Sequence, residues 1–191
     1  MERLSVADYY REALDVLAEW GSEALTIASL CERLGVTKGS FYHHFGSMPA
    51  FVTQLLGYWE AEHGEVHVSP KTVPDPAQRL DALFDAAAQL PHETEAAIRA
   101  WGRSNTEVAE STERVDRRRE RRLVDTVVAL GVDRLRARVL GRLAVDALVG
   151  AQQREHPADV RKLRQVFDQV RRMILLEADP GLAARLAKIA D

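Results

Sequence analysis

Residues 26–51 read TIASLCERLGVTKGSFYHHFGSMPAF, and they hold the side chains whose types and spacing point most directly to chemistry. Ile27, Leu30, Cys31, Leu34, Val36, Phe41 and Phe45 can close into one small core between two short helices. Gly35 supplies the left-handed backbone that a sharp inter-helix turn often needs. Left outside are Thr37, Lys38, Ser40, Tyr42, His43 and His44. Each can donate a hydrogen bond and none is acidic. A helix that buries Phe41 and Phe45 therefore turns a face toward solvent that suits phosphate oxygens and base edges. The free N–H groups and dipole of its N-terminus add to that face.

Other chemistry has less support. His43 and His44 are adjacent, and neighbours on a helix diverge by roughly 100°, which suits chelation poorly. No metal is expected. Cys31 is the one cysteine, so no intrachain disulfide can form; it reads as a buried thiol filling a small hole, with a redox role as the alternative. The chain shows no supported Ser/His/Asp order, no phosphate loop and no HExxH motif. His63, His67, His92 and His156 are dispersed. We expect neither an enzyme nor a cofactor.

Charge is distributed to the same end. The net charge is −3, against the basic excess common in nucleic-acid binders. Yet no Asp or Glu occurs from Arg33 to Trp59, a window that holds Arg33, Lys38, His43 and His44. The acid precedes it, from Glu2 to Glu32. A local cationic window is what a small DNA-reading surface needs.

The elements that position these residues are helices. Ala, Leu, Arg and Glu dominate, and strand-like alternation is missing. The first helix is expected from Ser5 to Trp20, with Ser5 as N-cap, Tyr10, Ala13, Leu14 and Leu17 as apolar stripe, and Gly21 as stop. Thr26 caps a short second helix that ends at Gly35. The third starts after Thr37 and runs to Phe45. Ser47 caps a longer fourth, with Pro49 in its first turn, reaching about Val66. Pro70, Pro74 and Pro76 mark the clearest break. Beyond it, helices are expected over about 76–90, 92–103, 105–130, 132–155 and 157–177.

The 26–51 stretch resembles the TetR family of transcriptional regulators. The likeness rests on Thr26, Leu30, Gly35-Val36-Thr37, the run Lys38-Gly39-Ser40-Phe41-Tyr42-His43-His44-Phe45, and Ser47. The rest of the chain is similar in length, helical content and its last two helices. The resemblance implies an all-α fold: residues 1–48 as a three-helix helix-turn-helix DNA-binding domain, residues 49–191 as a helical bundle for ligand binding and dimerisation. It implies that Lys38, Gly39, Ser40, Tyr42, His43 and His44 face double-stranded DNA. Thr26 and Ser47 would steady phosphates, and Thr37 would cap the recognition helix. Met48 stands where a Lys is common, and the N-terminus lacks a basic arm, so fewer phosphate contacts and a shallower salt slope are expected.

For the second half, Val160, Leu163, Phe167, Val170 and Ile174 form a seam, and Leu140, Ala144, Ala147, Leu148 and Ala151 a second with small residues. The pattern is equally consistent with packing inside one subunit. The resemblance favours an intersubunit four-helix bundle, with Ala144, Leu148, Leu163, Phe167, Val170 and Ile174 at a homodimer interface. It also implies a pocket for an unidentified small-molecule effector, with His63, Phe84, Trp101 and Asn105 as candidate lining residues. The run Arg114–Arg122 reads as a solvated helix face compensated by Glu110, Glu113 and Glu120, with a second nucleic-acid patch as the alternative. No secretory signal and no membrane span are read, so a cytoplasmic protein is expected. The expected function is a ligand-responsive transcriptional repressor acting as a two-fold dimer on a (pseudo)palindromic operator. The competing reading is an all-helical ligand-binding or interaction protein with weak or lost DNA binding.

Overall fold

The structure is a computed structural model, and it describes residues 4–64, 68–154, 157–179 and 181. These residues are all-helical: α1 (Val6–Trp20), α2 (Ile27–Leu34), α3 (Lys38–Phe45), α4 (Met48–Gly64), α5 (Pro76–Ala88), α6 (His92–Gly102), α7 (Thr106–Ala129), α8 (Arg134–Arg154) and α9 (Val160–Ala178), with a 3₁₀ turn at Ser22–Ala24. No described helix is long and apolar enough to cross a membrane.

The chain packs as two compact units. One comprises Met1–Glu65 with Pro91–Val115, the other Val66–Leu90 with Asp116–Asp191. The division by role expected at residue 48 therefore falls inside the first unit, to which α4 and α6 also belong.

In the first unit, α1 starts where the Asp8 carboxylate accepts the Ser5 backbone N–H at 2.7 Å. It stops at Gly21, whose φ of 78° is open to a residue without Cβ. The buried stripe of α1 is wider than the sequence pattern suggested: Tyr9 and Val16 join Tyr10, Ala13, Leu14 and Leu17. It packs against α2 and α6. Tyr10 also donates to Gln54 Oε1 of α4 at 2.9 Å. The first turns of α7 are fastened to α4 by polar side chains. Thr53 donates to Glu107 at 2.7 Å, and Ser111 and Arg114 both donate to Glu60 at 2.7 Å.

In the second unit, Asp75 caps α5 by accepting from Ala77 N, with Pro76 at the first helical position. Arg79 is buried yet satisfied. It donates to the Val73 and Pro74 carbonyls at 2.8 and 3.0 Å and to Thr126 Oγ1 at 3.3 Å, tying the proline-rich segment to α7. Gly141 allows close approach of α8 to α7, since a Cβ there would stand 2.9 Å from Val124 Cγ2. Asp159 caps α9 by accepting from Arg161 N and Lys162 N. Asp81 and Asp85 of α5 pair with Arg171 and Arg164 of α9.

Candidate nucleic-acid interface

The turn between α2 and α3 is built from local chemistry. Thr26 and Ser29 cap α2 reciprocally, the Ser29 N–H donating to Thr26 Oγ1 at 3.1 Å and the Thr26 N–H to Ser29 Oγ at 3.1 Å. Gly35 ends α2 in the left-handed region at φ 65°, ψ 33°, donating back to the Glu32 carbonyl, and the next N–H, of Val36, reaches the Cys31 carbonyl. Thr37 then caps α3 by accepting the Ser40 N–H at 3.2 Å. Ser47 does the same for α4 through the Ala50 N–H at 3.3 Å.

Beneath α3 lies an aromatic cluster. Phe41, Phe45 and Phe51 meet with centroids 4.8 to 5.2 Å apart, and the Tyr9 ring stands 5.2 Å from Phe45. All four are buried, so the helix is held by its inner face against a wall with little room to tilt.

The outer face carries the other residues. Thr37, Lys38, Gly39, Tyr42, His43 and His44 are exposed and Ser40 half-buried. Tyr42 keeps 51% of its surface, a large aromatic side chain left in water. Thr26 is exposed and Ser47 half-buried, each at a helix N-terminus. The structure thus gathers Lys38, Ser40, Tyr42, His43 and His44 on one short helix, with Thr26, Thr37 and Ser47 engaged as caps. Among the described residues, no group of three or more His, Cys, Asp or Glu is placed to hold a metal. Cys31 is buried, which pushes its thiol pKa up, although the nearby Lys38 charge acts the other way.

Two features escaped the sequence pattern. Arg33 does not contribute a free charge to the cationic window. Its guanidinium donates to Glu19 at 2.8 Å and to Glu12, and it lies 4.7 Å over the Trp20 ring. These bonds, to Glu19 first and Glu12 second, hold its proton more firmly than usual. Glu12 and Glu19 lie seven apart on α1, so their shared face was legible, but their partner was not. The second feature is Tyr9. Its buried hydroxyl lies 3.0 Å from Ser40 Oγ. Sequence alone shows no link between positions 31 apart.

In the second unit the expected dimer seam is corrected. Ala144, Leu148, Leu163, Phe167, Val170 and Ile174 are all buried in this chain's own core. The alternation of three and four described the face that packs inward, because α9 lies against α5 and α8. The apolar residues left exposed on α8 and α9 are Leu135, Val139, Leu143, Val166 and Met173.

Of the candidate ligand residues, Phe84 belongs to the second unit and Trp101 and Asn105 to the first. Phe84 stacks on Phe167 at 4.9 Å and lines a cavity in the second unit. Trp101 packs against the core of the first unit. Asn105 accepts the Val108 N–H at 3.2 Å, next to the start of α7. The His63 side chain lies outside the described residues, as do His67 and His156. The Arg114–Arg122 run is not a uniformly solvated face either. Arg114 pairs with Glu60, Arg119 is 7% exposed, and Arg122 is half-buried.

Comparison with known proteins agrees with this geometry. Residues 10–55 match the model of the family described as bacterial regulatory proteins, tetR family. The chain is 32% identical over 76 residues to the HTH-type transcriptional repressor KstR2 of Mycobacterium tuberculosis, a match that spans 39% of this chain and only 38% of that repressor. It shares its fold with a transcriptional regulator from Rhodococcus sp. Rha1, at a TM-score of 0.68 and 22% identity over 90% of this chain and 96% of that one. A TetR transcription regulator from Haloarcula marismortui gives 0.65 and 18% over 91% and 98%. With a helix-turn-helix on an aromatic core, the chain is similar to the tetR family of bacterial regulatory proteins across residues 10–55 and shares the fold of these solved regulators along most of its length.

Proposed function

We propose that the protein is a ligand-responsive transcriptional repressor of the cytoplasm that binds a (pseudo)palindromic duplex operator as a two-fold dimer. The observation that carries the reading is the outer face of α3: Lys38, Tyr42, His43 and His44 are exposed donors, no carboxylate stands among them, and the helix is fixed by Phe41 and Phe45. An α-helix fits the major groove, and Lys38 and Ser40 sit in its first turn, where recognition helices contact base edges. Thr26, Thr37 and Ser47 stand at helix N-termini, whose N–H groups suit phosphate oxygens.

A dimer is supported by the exposed apolar residues of α8 and α9. Leu135 and Val139 keep 70% and 63% of their surface, and Leu135, Val139 and Met173 line one shallow groove. Exposed apolar faces of this kind suit a self-complementary interface with a second copy. Effector binding would then act by shifting the balance between DNA-competent and incompetent dimers.

The competing reading, a helical ligand-binding protein with weak DNA affinity, draws on the net charge of −3, on Met48, and on Arg33 being neutralised. Selection from a random duplex pool at low salt decides between them. An enriched inverted repeat is expected. Folded, dimeric protein that enriches nothing would favour the competing reading.

A further inference from the structure

We propose that duplex binding by α3 is coupled to proton uptake at His43 and His44, so that DNA affinity rises as pH falls from 8 to 6. The proposal rests on the DNA-reading assignment above and adds a regulation of that same face.

Permanent positive charge is scarce around α3. From Arg33 to Trp59 the sequence has one arginine, Arg33, and one lysine, Lys38. Arg33 is engaged by Glu12 and Glu19. That leaves Lys38 as the permanent cation this window offers to a phosphate. His43 and His44 follow it on the same helix, and both are exposed. Imidazole is the side chain that changes its charge between pH 5 and 8. Protonating both takes the face from one positive charge to three. In a chain of net charge −3, that local gain weighs heavily against repulsion from DNA.

The elements around the pair leave this charge to be set by DNA. From α1, the Tyr9 ring lies 5.7 Å from His44. The α1 carboxylates are committed elsewhere: Asp8 to Ser5 and Arg11, and Glu12 and Glu19 to Arg33, with Asp15 close to those three. On α2, Cys31 is buried and Glu32 exposed. On α4, the first acid is Glu60, held by Ser111 and Arg114. Among the described residues, no carboxylate pairs with either imidazole.

The two imidazole rings lie 5.4 Å apart. Charged together in the unbound protein, they repel each other. A phosphate set against them offsets that repulsion and accepts their hydrogen bonds, because a protonated imidazole donates from both nitrogens. The charged pair therefore binds DNA more tightly than the neutral pair. By reciprocity, bound DNA draws protons onto the pair.

The test is the affinity of the intact protein for the duplex enriched from a random pool, at pH 6 and pH 8 and at several salt concentrations. The parent should bind at least about tenfold tighter at pH 6, with a steeper salt slope, since each phosphate newly neutralised adds about 0.9 to it. Calorimetric titration at pH 7 in two buffers of different ionisation enthalpy should show net proton uptake on binding. His43→Gln with His44→Gln should bind equally at the two pH values. Lys38→Ala should bind more weakly at both and keep the parent's ratio between them. Circular dichroism checks that each variant is folded. Should the double variant fail to fold, His43→Gln and His44→Gln made singly should each reduce the ratio. Equal parent affinity at the two pH values, tighter binding at pH 8, or a ratio that survives substitution of both histidines overturns the proposal. Equal, tight binding at both pH values would leave the DNA-reading assignment standing while ending this one. No binding at either pH would end both.

Discussion

The phenolic oxygen of Tyr9 on α1 stands 3.0 Å from the hydroxyl oxygen of Ser40 on α3, joining a core side chain to the outer face of the helix proposed to read DNA. Tyr9 also lays its ring 5.7 Å from His44. It therefore sets where two of the proposed contact residues point. Tyr9→Phe keeps the ring and removes the hydroxyl. We expect stability to fall by about 1 kcal/mol or less, the usual net worth of one hydrogen bond. DNA affinity should fall several-fold, with the loss concentrated at particular half-site positions rather than spread across the sequence. Competition binding against single-base variants of the selected duplex reads this directly.

Lys38 and Tyr42 should separate phosphate contact from folding. Both are exposed, so each alanine substitution should change stability by no more than about 0.5 kcal/mol. Lys38→Ala, if the lysine meets a phosphate, should weaken binding to all sequences alike and reduce the salt slope by about 1. Denaturant unfolding together with affinity measured at several salt concentrations gives both numbers. A large stability loss would assign these residues to packing.

The two faces of α8 and α9 should answer differently to substitution. Phe167→Ala removes a buried ring and should cost about 3–5 kcal/mol in stability. Val139→Glu with Met173→Glu places charge on exposed positions and should leave the fold intact while producing monomer. Sedimentation velocity and thermal unfolding of the two variants distinguish these effects. Retained dimer in the double variant would move the interface elsewhere.

The acid limb of the stability curve should depend on the helix caps. Hydrogen bonds from Ser5 hold the Asp8 carboxylate below its ordinary pKa, and backbone N–H groups of Lys162 and Arg161 do so for Asp159. A pKa depressed on folding adds stability that is present above the unfolded value of 3.8 and is lost as pH falls through the folded value. Asp8→Asn and Asp159→Asn should therefore lower the melting temperature at pH 7, with the difference from the parent shrinking at the acid end. A difference that persists unchanged to low pH would show that the carboxylate charges contribute nothing.

Much of the helical layout was legible because its signals are local. Thr26, Gly35, Thr37 and Ser47 act on residues within a turn of themselves, and Phe41 and Phe45 declare the buried face of α3 by spacing alone. What stayed hidden depends on partners distant in sequence. Periodicity showed that Leu163, Phe167, Val170 and Ile174 share a face, but not whether that face meets the same chain or another. Likewise, the basic run from Arg114 offered compensating charges at helical spacing, while Glu60, the actual partner of Arg114, lies 54 positions away. Arg119 entered the interior because of what packs around α7, which no local pattern encodes.

The exposed face of α3 is the surface proposed to read duplex DNA. The direct measurement is the affinity of the parent protein and of the Lys38→Ala, Tyr42→Ala double variant for the duplex enriched from a random pool, at two salt concentrations. Tight, salt-sensitive binding by the parent to an inverted repeat is expected, with a loss of at least tenfold in the equally folded, equally dimeric variant. Undiminished binding by the variant would contradict it and place the DNA contact on another surface.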